Sequence, residues 1–306
     1  MLQRSVLRIP KGYLSFQKFL VLTVALCAFF IGFLIISFAK AKPTFNISSR
    51  YGEVIYRYNP ENPDQLFIIG TGHRNAITRV NGSNTQQVQV EVYQIGNSLI
   101  HQEGVELLLP EGFFETKENR AIEECRTTYT ELSDKVIEER LYDNSNFVNA
   151  EMLLKEAHPI RLRQVEEQDL YWNARECMLR LISSGNCTPR SSALKSRLDY
   201  LQQRRTAALL QNAPDVTNEE FKQGYIKRRR AILTIGLSHL PNIIKYLKDK
   251  KIIVCAPLFD KGEERDYGAD LNLIKENFGV TILLPRTLAD HQEILEMVGL
   301  NSDTAQ

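Results

Sequence analysis

From residue 19 to residue 39 the chain carries no charged side chain. At about 1.5 Å per residue, a helix of that length crosses a hydrocarbon core of about 30 Å. A run so uniformly apolar is seldom a helix of a globular core, so this segment limits the architecture more than any other. Arg4, Arg8, Lys11 and Lys18 precede it and Lys40 and Lys42 follow. That excess of positive charge on the N-terminal side favours an orientation with the N-terminus inside. The expected organisation is a cytoplasmic tail (1–18), a single-pass membrane anchor (19–39), a linker (40–52) and a domain (53–306) outside the cytoplasm, periplasmic or extracellular. The alternative is a cleaved signal peptide, because Ala39-Lys40-Ala41 has the small-x-small form, although the apolar core is about twice the usual minimum length.

The remaining stretch of roughly 260 residues can bury a substantial core and is read as one domain. With 38 basic and 37 acidic side chains the balance is neutral, which gives no reason to expect a nucleic-acid partner. Cys27 lies in the apolar run, and Cys125, Cys177, Cys187 and Cys255 follow no C-x-x-C spacing, so a zinc finger is not expected. Cys177 and Cys187 are near enough in sequence to close a disulfide loop, and paired thiols are the equal alternative. Nothing in the pattern speaks to oligomeric state.

Residues 53–58 alternate like a strand, and Asn59-Pro60 begins a turn. A second apolar run, 66–69, ends at Gly70. Val88, Val92, Ile95 and Leu99 recur at spacings of four, three and four, the stripe of a helix packing one face on a sheet. Gly104 ends that helix, and residues 105–109 read as a third strand, which completes the strand, helix, strand unit of a parallel crossover. From about residue 114 to 230 the sequence turns charged and helical, with breaks expected at 143–146, 158–159, 185–189 and 212–217. Strands are then expected at 231–235, 251–256 and 280–284, with helices at 240–248, 271–277 and 288–300. The fold class is therefore α/β: a mainly parallel sheet with flanking helices and a large all-helical insertion, preceded by one transmembrane helix.

The two strands that flank the insertion end alike, in Gly70-Thr71-Gly72-His73 and Gly236-Leu237-Ser238-His239. In a parallel sheet, ligands bind beyond the carboxyl ends of the strands, and a glycine there lets the chain turn so that a side chain three residues on points over the edge. His73 and His239 would then meet in one crevice, and Pro110-Glu111-Gly112 brings a carboxylate to the same edge. Two imidazoles and a carboxylate suit a divalent metal with a position left for water. The plainer reading is that both histidines hydrogen-bond loop backbone.

The paired motif resembles the TraB/PrgY/GumN and TIKI superfamily, which is related to erythromycin esterases and ChaN-like proteins. The resemblance rests on GTGH at 70–73, VELLLPEG at 105–112 and IGLSHL at 235–240. It implies a membrane-tethered, metal-dependent peptidase that uses Mn, Co or Zn, with His73, His239 and Glu111 as ligands. In that superfamily the acidic residue directly follows the strand's valine, so Glu106 is the alternative to Glu111. Beside Glu111, a second catalytic carboxylate is expected from Glu123 or Glu124, and Arg229, in the 228–230 run, is the expected oxyanion-stabilising arginine. The substrate is expected to be a peptide or small molecule. The alternative function is non-enzymatic binding of haem, a peptide or a small molecule on the same fold. No G-x-S-x-G, P-loop, G-x-G-x-x-G or H-E-x-x-H occurs, which removes support for serine-hydrolase, nucleotide-dependent and thermolysin-like readings.

Overall fold

The computed structural model describes residues 45, 47–72, 83–118, 120, 128–143, 148–184, 189–257, 265–297 and 299. The segment expected to cross the membrane, His73, Glu123, Glu124, Cys125 and Cys187 lie outside these residues. The architecture that follows belongs to the unit that begins at Ile47.

Three wholly buried strands build its centre: β2 (Gln65–Thr71), β5 (Arg230–Gly236) and β8 (Gly279–Pro285). Continuous apolar runs of this kind belong to parallel strands covered on both faces. The full sheet has the order β1-β8-β2-β5-β3-β4, with β1 (Gly52–Tyr58), β3 (Leu107–Pro110) and β4 (Arg161–Leu162) completing it. Every neighbouring pair is parallel except β1 with β8. Side chains alternate across the pleat: Leu66, Ile68, Leu233, Ile235, Val280 and Ile282 share one apolar core, while Phe67, Ile69, Ile232 and Leu283 are buried on the other side.

The expected stripe forms the inner face of α1 (Ser83–Glu103). Val88, Val92, Ile95 and Leu99 are all at most 1% exposed, and burying each of these side chains stabilises the fold by roughly 1.5–3 kcal/mol. Gly104, at φ +63°, stops the helix. The crossover from β2 to β3 passes over β5, which lies between them.

Between β3 and β5 lie α2 (Asp134–Tyr142), α3 (Ala150–Ala157), α4 (Gln168–Ser184) and α5 (Pro189–Lys222). The insertion is not entirely helical, because β4 falls within it and extends the sheet beyond β3. The break expected at 212–217 is also absent: α5 runs through Pro214 as one helix of 34 residues. A proline removes one i→i−4 bond, but tertiary contacts hold the chain helical on both sides of it. Before it, Asn212 Nδ2 donates to Val165 O at 3.0 Å and Gln211 Nε2 donates to Asp270 O at 2.9 Å; after it, Asn218 Nδ2 donates to Glu276 Oε2 at 3.0 Å.

After β5 come a 3₁₀ turn (Leu237–His239) and α6 (Leu240–Asp249). The strand expected at 251–256 exists as β6 (Lys251–Val254), but it pairs antiparallel with β7 (Tyr267–Asp270) in a separate two-stranded sheet. α7 (Asn272–Lys275) leads into β8, and the single last helix expected at 288–300 is two short pieces, α8 (Arg286–Ala289) and α9 (Gln292–Met297). Among the described residues no helix is long and apolar enough to cross a membrane.

Candidate functional site

The carboxyl ends of β2, β5 and β3 lie side by side. Thr71 pairs with Gly236 and Pro110 with Thr234, so the chain leaves β2 towards His73 beside the point where it leaves β5 towards His239. His73 itself is outside the described residues. Glu111 follows β3 directly, and its N–H continues the ladder to Thr234 O at 2.9 Å. The turn is then completed by Gly112 at φ +74°, a conformation that favours glycine.

Two donors among the described residues hold the Glu111 carboxylate. Its Oε2 accepts the Gly236 N–H at 2.6 Å, and its Oε1 accepts Arg205 Nη2 from α5 at 2.7 Å. Arg205 is 5% exposed and also donates through Nε to Glu166 Oε1 at 2.5 Å. The other oxygen of Glu166 receives the Gly112 N–H at 2.8 Å. Tyr171 lies 5.1 Å from the guanidinium, which faces its ring. One arginine thus joins two carboxylates, and two backbone amides complete the ring of bonds across β3, β5, α5 and the chain before α4. Burial works against the charge on Arg205, but the Glu166 hydrogen bond and the charges of Glu111 and Glu166 outweigh it and hold its pKa above the ordinary value.

His239 is 1% exposed. Its Nδ1 lies 2.7 Å from the Thr206 hydroxyl, and that hydroxyl donates to the Gln202 carbonyl at 2.8 Å. With its proton spent there, the Thr206 oxygen accepts, so the hydrogen network assigns the ring proton to Nδ1. Nε2 then carries a lone pair. Among the described residues it has no hydrogen-bond partner, although Glu111 Oε1 is 3.3 Å away; the short distance lacks hydrogen-bond direction, and the geometry rather than the separation decides the matter. A bare ring nitrogen and a carboxylate oxygen at this distance repel unless a proton or a cation lies between them.

These two atoms fit a metal ion. Ligands 2.0–2.2 Å from a tetrahedral centre stand about 3.4 Å apart, and Nε2 is a buried lone-pair donor whose neighbour among the described residues is Glu111, with a proton shared between the two as the alternative to a cation. Among the described residues no three His, Cys, Asp or Glu side chains gather as a metal-binding group, so the described part of the site is a pair, His239 and Glu111.

The other expected residues are distributed differently. Glu106 precedes β3 at the opposite end of the strand, where it accepts the Lys227 N–H at 2.6 Å, so the carboxylate of the crevice is Glu111. Arg229 does not reach the crevice. It precedes β5, about 23 Å along the strand from Gly236 at about 3.3 Å per residue, and its guanidinium is engaged by Asn218 at 2.8 Å and by the Asp64 carboxylate. The arginine of the site is Arg205. Glu124 and its neighbour Glu123 are outside the described residues.

Gly70 sits within β2 and makes no sharp turn. A Cβ there would stand 2.7 Å from Leu284 Cδ2 and 2.8 Å from Leu240 Cδ1, so close packing accounts for this glycine. Gly236 has ordinary extended angles, φ −62° and ψ 144°, and contributes its N–H. Cys177 is buried, and its sulfur lies 3.3 Å from Leu194 O.

Sequence reasoning missed Arg205, Thr206 and Glu166. The usable signal is the consecutive Arg205-Thr206 within the charged, helical stretch of 114–230. No family model matches the sequence, and neither a curated protein nor a solved structure matches it.

Proposed function

We propose that the crevice at the carboxyl ends of β2, β3 and β5 is the site of a metal-dependent hydrolase acting on peptides, on a chain held at the outer face of a membrane by residues 19–39. The observation that carries this reading is the buried Nε2 of His239, which has no hydrogen-bond partner among the described residues and stands 3.3 Å from Glu111 Oε1. His239 and Glu111 would hold the ion. A bound divalent cation supplies Lewis acidity and lowers the pKa of a coordinated water. Thr206 keeps the imidazole proton on Nδ1, so that Nε2 is the basic nitrogen. Arg205 and the Gly236 amide orient Glu111, while Glu166 balances the arginine. Such outer partners fix the ligands' orientation, and their loss typically costs 10–100-fold in metal affinity.

The test is metal content. Full-length protein purified in detergent without chelator is assayed for Mn, Co and Zn by mass spectrometry, beside His239→Ala and Glu111→Gln. One metal equivalent in the parent, lost from both variants, supports the site. Equal metal in all three, or no uptake by the parent on titration with each ion, sinks it. Release of a peptide product by the loaded parent then distinguishes hydrolysis from simple binding.

A further inference from the structure

Tyr171 packs on the arginine of the site and ends in a hydroxyl. It lies in the first turn of α4, where its N–H donates to Glu167 O at 3.1 Å. Its neighbours fix the ring: the Arg205 guanidinium faces it at 5.1 Å, Phe114 meets it edge-on at 5.1 Å, and Trp172 does so at 5.2 Å. Phe114 in turn stacks on Trp172 at 6.3 Å. A ring already held by packing has little rotamer freedom left to lose, so its hydroxyl can bind a ligand at small entropic cost.

That hydroxyl lies at the turn that carries Glu111. A Cβ on Gly112 would stand 3.5 Å from Tyr171 Cε2 and 3.9 Å from its hydroxyl oxygen, which sets the tip of the phenol against the backbone immediately after Glu111. The Arg205 that the ring covers donates through Nη2 to Glu111 Oε1 at 2.7 Å, and this is the oxygen 3.3 Å from His239 Nε2. Through these contacts the ring centre lies within about 9 Å of that oxygen, a span of about two or three residues of extended peptide.

The neighbouring donors are already engaged. Arg205 gives Nε to Glu166, Nη1 to Gln202 and Nη2 to Glu111, while the Gly112 and Gly236 amides go to Glu166 and Glu111. The half-buried Tyr171 is different, since among the described residues nothing hydrogen-bonds its hydroxyl. A phenol can donate one hydrogen bond to a carbonyl.

We propose that the Tyr171 hydroxyl donates to a backbone carbonyl of an extended peptide substrate whose scissile bond lies at the His239–Glu111 pair. Tyr171 is then a substrate-binding residue, one that recognises the peptide backbone at a fixed distance from the bond to be cut. The inference rests on the peptide-hydrolase reading of that pair.

Tyr171→Phe removes the hydroxyl and keeps the ring on Arg205. Full-length, metal-loaded protein is offered a pool of synthetic hexapeptides, cleavage is located by mass spectrometry, and the best-cut sequence is remade with residues removed one at a time from either end. The expected result is a kcat/KM for the hexapeptide lower by about five- to tenfold in Tyr171→Phe, the worth of one neutral hydrogen bond, with metal content and melting temperature unchanged. As the peptide is shortened from one end, the parent falls to the level of the variant and the difference between them disappears. Three results overturn the proposal. Equal rates on the hexapeptide leave the hydrolase reading standing without this contact. A loss that is the same at every length, or that comes with lost metal or a lower melting temperature, marks a packing role. A parent that takes up no metal or cuts no peptide removes the hydrolase reading and this inference together.

Discussion

Arg205→Met tests the core of the site most directly. The side chain of Arg205 is 6% exposed, and those of its partners Glu111 and Glu166 are 10% and 1% exposed. Methionine fills most of the volume but leaves two carboxylates without their common cation. Removing one partner of a buried ion pair costs about 3–5 kcal/mol, far more than the net worth of the pair itself, because the remaining charge is desolvated and uncompensated. At about 2–4 °C per kcal/mol for a domain of this size, the melting temperature should fall on the order of 10 °C.

Urea unfolding followed by far-UV circular dichroism measures the loss. Arg180→Met is the control: Arg180 and Glu176 are equally close, at 2.5 Å, but 62% and 60% exposed, and its loss should be under about 1 kcal/mol. Arg205→Lys should fall between, since an ammonium cannot span both carboxylates as the guanidinium fork does. If Arg205→Met costs no more than Arg180→Met, the network is solvated and the argument for a preorganised Glu111 fails.

Three further outcomes are expected. Gly70→Ala should destabilise by about 1–3 kcal/mol in the same assay, because its Cβ enters space held by Leu240 and Leu284; no change would show that β2 can shift. Tyr246 is 1% exposed with no partner for its hydroxyl among the described residues, and burial pushes its pKa up to about 12. Tyr246→Phe should therefore be neutral or stabilising by about 1–2 kcal/mol, and a clear loss would reveal a bonded hydroxyl. Burial, and then the neighbouring His101 ring at 5.2 Å, hold His158 below its ordinary 6.5. The unfolded chain then takes up the proton more readily, so this residue's contribution is lost as pH falls below 6.5. His158→Gln should flatten the acid side of the stability profile, and an unchanged slope would refute the assignment.

Where the sequence was legible, one physical rule acted alone. β2, β5 and β8 are continuous apolar runs because both faces are covered, and α1 shows its stripe because one face meets the sheet and the other meets solvent and short helices. Glu111 could be placed because a strand ends in Pro-Glu-Gly. The site's remaining members had no such pattern. Arg205 is buried only because Glu111 and Glu166, remote in sequence, happen to face it, so on the chain it looks like any charged residue of a solvated helix. Pro214 misled for the same reason, since contacts from Val165 and Asp270 keep α5 helical. β6 read as a strand of the main sheet because four apolar-leaning residues do not specify a partner, and β7, the four residues Tyr267, Gly268, Ala269 and Asp270, carries little strand signal of its own.

The strand order has a consequence for how the chain is made. β1, β2 and β3 never pair with one another: β8 separates the first two, and β5 separates the second from the third. During synthesis, the first half of the domain therefore emerges with its most apolar strands unmatched, apart from the two-residue contact of β3 with β4. The strands from the second half must slot between those already present. Each half is the template for the other, and the nascent chain carries exposed strand edges until residue 236, and again until residue 285, has left the ribosome.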